Sequence, residues 1–118
     1  MIEITKQPID EAAVLASVKT PAAGAVVLFV GTTRQMTDGR ETKTLVYEAH
    51  PTMAEKQLQR IVNEASGRWP LDQCSVVHRT GEVAVGESSI AVAVASPHRV
   101  DAFAAAQWIM DTLKRELP

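Results

Sequence analysis

Apolar residues recur along the chain with two different periods, and the switches between them divide it into elements. Ile2 to Thr5 has the composition of a short strand, and Asp10 is placed to cap a helix carrying Ala13, Val14 and Val18. The run Gly24-Ala25-Val26-Val27-Leu28-Phe29-Val30 is continuously apolar, which predicts a central strand ending at Gly31. Gln35 to Lys43 is polar, contains Asp38-Gly39 and has no apolar period. It reads as a mobile, hairpin-like loop and a candidate lid, followed by a strand over Thr44 to Ala49.

Thr52-Met53-Ala54-Glu55 fits a capping box, after which Ala54, Leu58, Ile61, Val62 and Ala65 follow helical spacing up to Gly67. Two further strands are predicted over Cys74 to Arg79 and Ser88 to Ala95, joined by a segment in which Gly81 and Gly86 allow sharp bends. The last helix is predicted to begin at Ser96-Pro97, with proline at its first position. Its buried stripe is Ala102, Phe103, Ala106, Ile109, Met110, Leu113 and Leu117. Strands and helices mix without strict alternation, which predicts an α+β fold: a largely antiparallel sheet with packed helices, in one domain over residues 1–118.

Composition narrows the function. The 118 residues are 46% hydrophobic, enough for one core, and 12 basic against 14 acidic side chains leave a formal charge of -2. That balance gives no global field favouring nucleic acid or an anionic membrane, so any positive site must be local. The N-terminus has no basic region followed by a long apolar run, and no stretch reaches the roughly 20 apolar residues needed to span a bilayer. A cytoplasmic location is the expectation. Cys74 is the single cysteine, so an intramolecular disulfide is excluded, and its place in a strand makes it a small buried apolar residue rather than a nucleophile.

Three places could carry chemistry. Arg34 follows the apolar strand, with Arg40 and Lys43 in the next loop, and strand ends feeding loops commonly hold binding residues; a solvated loop arginine fits equally well. At Ser96-Pro97-His98-Arg99 a histidine and an arginine meet the positive end of a helix dipole, an arrangement that a bound phosphate would favour. Neutralisation of Arg99 by Asp101 and nearby Glu residues, with His98 packing or capping, is the alternative. Lys114 shares a helix face with Gln107 and Asp111 and by itself reads as a solvated lysine near a helix C-terminus. No serine lies in a nucleophile-elbow pattern, and the three histidines lack metal-ligand spacing. His50, His78, Glu48 and Arg79 suit core, hairpin or surface roles.

The ordered set Phe29-Val30-Gly31-Thr32-Thr33-Arg34, Leu45-Val46-Tyr47-Glu48-Ala49, Met53-Ala54-Glu55, His78-Arg79-Thr80-Gly81-Glu82, Val85-Gly86-Glu87, Ser96-Pro97-His98-Arg99 with Ala102-Phe103, and Asp111-Thr112-Leu113-Lys114 closely resembles the large, catalytic subunit of molybdopterin synthase. The resemblance implies an α/β hammerhead fold. It implies a homodimer of large subunits, a heterotetramer once a small ubiquitin-like sulfur carrier docks its Gly-Gly tail into each active site. It further implies transfer of sulfur from the carrier's C-terminal thiocarboxylate to cyclic pyranopterin monophosphate, forming the dithiolene of molybdopterin, with no metal or cofactor in the enzyme itself. By position, Lys114 corresponds to the catalytic lysine, Arg34 to a pocket arginine, and His98 and Arg99 to residues that hold the substrate phosphate. The family pattern continues past Pro118 into a basic tail with a second active-site lysine, which the 118 residues do not include. A working sulfur-transfer enzyme and a truncated or non-catalytic carrier-binding subunit are therefore both carried forward.

Helical geometry adds a constraint. Arg99 and Lys114 are fifteen positions apart, and at about 1.5 Å per residue they are roughly 22 Å apart along a helix. Both cannot touch one small pterin from the same chain. The expectation is a site shared across a two-fold axis, with Lys114 and Arg34 from one subunit and His98 and Arg99 from the other.

Overall fold

A computed structural model describes residues 1–34, 36–37, 40–41, 44–47 and 51–116, with the three short middle segments described by backbone alone. Its elements are β1 (Ile2–Thr5), α1 (Glu11–Val18), β2 (Ala25–Thr32), β3 (Met36–Thr37), β4 (Arg40–Glu41), β5 (Thr44–Tyr47), α2 (Pro51–Arg68), β6 (Gln73–Arg79), β7 (Gly81–Ala84), β8 (Ser88–Ser96) and α3 (Arg99–Glu116). The main sheet has the order β1-β6-β8-β2. Only the β1–β6 pair in it is parallel, so the expected α+β fold with a largely antiparallel sheet is what the chain forms.

The pleat of β8 explains how three layers stack. Ile90, Val92 and Val94 face α2 and α3, where they meet Leu58, Ile61, Ile109 and Leu113. Ala91, Ala93 and Ala95 alternate to the other face and join Val14 and Val18 of α1. Large branched residues thus fill the space beneath two helices, and alanines let α1 lie close. On α3, Ala102, Ala105 and Ala106 are buried and do the same against the first face.

Asp10 caps α1 as expected, its carboxylate accepting the Ala13 N–H at 3.0 Å. Both hinge glycines of the β6–β8 segment have positive φ, 80° at Gly81 and 86° at Gly86, a region that side chains rarely adopt. The segment between them also forms β7, which pairs with β5; no apolar run announced it. Met36 pairs with Glu41 and Thr37 with Arg40, so a hairpin ladder does follow β2, while its Asp38-Gly39 turn lies outside the described residues. The same holds for the lid role given to this loop and for Glu48, Ala49, His50 and Leu117.

Four expectations need correction. Among the described residues β2 is an edge strand, not a central one. Its apolar run arises because α3 covers one face and α1 the other, and coverage of two faces says nothing about lateral neighbours. Helix α2 begins at Pro51, so Thr52 is already inside it; proline at the first helical position loses no hydrogen bond. Helix α3 begins at Arg99, because Ser96 is still paired in β8 and its hydroxyl donates to the Pro70 carbonyl at 3.0 Å. Phe103 is 63% exposed. It is rotated by about 100° from the buried Ala102, off the face that meets the sheet.

Candidate functional site

Strand β2 and helix α3 start from one end of the sheet. Ala25 pairs with Ser96, the Gly24 N–H donates to the Ser96 carbonyl at 3.1 Å, and α3 begins three residues after Ser96. Eight strand residues and eighteen helical residues each cover about 26 Å, so the two elements also finish together. Arg34, just past β2, and Lys114, in the last turn of α3, therefore belong to one end of the sheet. His98 and Arg99 belong to the other. The structure does not bring the four expected site residues together within one chain, as the helix-length argument required.

Between β2 and α3 lies a cleft of about 440 Å³ lined by Val27, Leu28, Phe29, Phe103, Ala106, Gln107, Met110, Asp111 and Lys114. Consecutive strand side chains point to opposite faces, so lining by Val27, Leu28 and Phe29 together places the cleft along the edge of β2 that no strand among the described residues pairs. Its walls are mostly apolar, with Gln107, Asp111 and Lys114 as the polar groups. Phe29 was hidden in the sequence, since an aromatic in an apolar run signals core; it is 40% exposed.

At the opposite end, the His98 carbonyl accepts the Ala102 N–H at 3.3 Å and its own N–H points to the Ser96 hydroxyl at 3.5 Å. His98 thus occupies the position before the first helical residue, with Arg99 exposed beside it and Asp101 half-buried in the first turn. Helical amides at this end have no carbonyl four residues back and remain available to an anion. Among the described residues, Arg34, His98, Arg99 and Lys114 make no ion pair, and all four are exposed. Arg99 is thus not neutralised by Asp101. The side chains of Arg40 and Lys43 lie outside the described residues.

Three other titratable groups belong to the framework of β6. Burial pushes the Cys74 thiol up to about 12, against a smaller lowering by the N-terminal ammonium, so it is no nucleophile. His78 and Arg79 are buried in β6.

Comparison with known proteins gives one consistent picture. A family model described as MoaE protein matches residues 4–116. A molybdopterin synthase catalytic subunit from Halalkalibacterium halodurans is 38% identical over 98% of this chain and 74% of its own length. The crystal structure of molybdopterin synthase from Staphylococcus aureus superposes with a TM-score of 0.93 at 36% identity, covering 99% of this chain and 85% of that one. A Helicobacter pylori complex of subunits 1 and 2 of molybdopterin-converting factor, at 18% identity, shares the fold alone: its TM-score is 0.80 over 100% of this chain and 81% of that one.

Proposed function

Since the chain belongs to the MoaE family, we propose that it is a molybdopterin synthase catalytic subunit, a sulfurtransferase acting in molybdenum cofactor biosynthesis. Its reaction moves sulfur from the thiocarboxylated C-terminus of a small ubiquitin-like carrier to cyclic pyranopterin monophosphate. Each transfer forms one carbon–sulfur bond to the pterin and breaks the carrier's acyl carbon–sulfur bond. Water supplies the oxygen with which the carrier departs as a carboxylate.

The observation that carries the proposal is Lys114 at the polar end of an apolar cleft open along the β2 edge. An extended Gly-Gly tail fits such a cleft because it has no side chains to exclude. Lys114 stabilises negative charge, or handles a proton, where the carrier's sulfur is displaced. Arg34 is the second cation at that end. His98 and Arg99, beside the open N-terminus of α3, hold the substrate phosphate.

Because those pairs lie at opposite ends of the sheet, each site takes Lys114 and Arg34 from one subunit and His98 and Arg99 from the other. Exposed Val100 in the first turn of α3, beside His98 and Arg99, supplies apolar surface for this homodimer, and two carriers complete a heterotetramer. Residues 1–118 act as one large-subunit domain, in the cytoplasm. No helix among the described residues is long and apolar enough to cross a membrane.

Single-turnover conversion of cyclic pyranopterin monophosphate by the purified chain and thiocarboxylated carrier is the test. Dithiolene product is expected. Carrier binding without product would instead favour a binding subunit that does not turn over.

A further inference from the structure

The two glycine-containing motifs after β6, His78-Arg79-Thr80-Gly81-Glu82 and Val85-Gly86-Glu87, have no role in the reaction as described. Arg79 is 8% exposed, and an arginine this buried is costly unless it is paired. Its Nη1 lies 3.3 Å from Glu87 Oε2, too poorly aligned for a hydrogen bond but close enough for an ion pair. Glu87 also uses Oε1 to accept the Ala84 N–H at 3.1 Å, which closes the β7–β8 turn. That turn then grips the chain beyond β2: the Thr33 N–H donates to the Glu87 carbonyl at 3.0 Å, and the Gly86 N–H donates to the Thr33 carbonyl at 2.7 Å. Both backbone polar groups of Thr33 are thus taken up by two turn residues, and Thr33 is 2% exposed. The next residue is Arg34.

We infer that Arg79 and Glu87 are positioning residues for Arg34: the ion pair between the buried arginine and the partly exposed carboxylate fixes the β7–β8 turn, which clamps Thr33 and so sets where the Arg34 side chain leaves the sheet. Gly86, at φ 86°, lets the turn present its N–H and the Glu87 carbonyl to Thr33 together. The inference rests on the proposed role of Arg34 in binding substrate.

The discriminating variant is Glu87→Gln, which keeps an acceptor for Ala84 and removes the charge facing Arg79. Initial rates with cyclic pyranopterin monophosphate and thiocarboxylated carrier would be measured in wild type, Glu87→Gln, Arg34→Ala and the double variant, alongside thermal melts. Glu87→Gln is expected to raise the half-saturating substrate concentration roughly tenfold while the limiting rate changes about twofold or less, as for a misplaced binding group. In the Arg34→Ala background it should add nothing. Glu87→Asp, which restores the charge, should recover part of the loss. Equal effects in both backgrounds, or a silent Glu87→Gln beside an impaired Arg34→Ala, would overturn the inference and leave the site reading intact. A silent Arg34→Ala would overturn both.

Discussion

Nδ1 of His78 lies 3.1 Å from the carbonyl oxygen of Ser89, joining β6 to β8 at a ring that is 8% exposed. Burial lowers the His78 pKa from the ordinary 6.5, and the hydrogen bond to Ser89 opposes this only in part. Between about pH 6.5 and that lowered value the unfolded chain binds a proton that the folded chain refuses, so stability rises with pH across the window. The contribution is complete above about pH 6.5 and is lost as pH falls towards the folded value. Urea unfolding from about pH 8 down to about pH 5 should show this loss, with a shallower slope in His78→Gln. Identical slopes would remove His78 as the cause.

Lys114→Ala tests the catalytic assignment with little risk to the fold, because Lys114 is exposed and makes no ion pair among the described residues. Sulfur transfer should fall by about 10² to 10³, the usual consequence of removing one group that stabilises developing charge. Carrier affinity and melting temperature should stay near wild type. Turnover at the wild-type rate would refute the role.

Subunit mixing tests whether the site is shared. Lys114→Ala and Arg99→Ala should each be inactive alone. In a hybrid dimer one site collects both defects and the other has none. With random assortment half the dimers are hybrids with one intact site of two, so about a quarter of wild-type activity should return. Continued inactivity in a mixture proven to exchange subunits would place all the site residues within one chain.

Gly24 is set by close approach rather than by an unusual φ. A Cβ built there would lie 2.3 Å from the Pro97 carbonyl oxygen, and that atom is backbone, which has little room to move. Gly24→Ala should cost about 1 to 3 kcal/mol, as overpacking does, measured as a lower urea midpoint. It should also weaken substrate binding, because the displaced segment adjoins His98 and Arg99. A variant as stable as wild type would mean that the turn relaxes freely.

The sequence by itself determined the elements that depend on local rules. Helix α2 and the body of α3 were legible from 3.6-residue spacing, β6 and β8 from short β-rich runs between turn signals, and the α1 start from the reach of the Asp10 carboxylate. The ordered motifs also singled out Arg34, His98, Arg99 and Lys114, and helical rise alone separated the last two. The tertiary structure decided what depends on neighbours distant in sequence. It put β2 at the sheet edge, turned Phe103 outwards, opened the cleft at Phe29, and linked Arg79 through Glu87 to Thr33. An apolar period records which side of an element avoids water; it cannot record which element covers that side, or whether the strand edge beside it is left free.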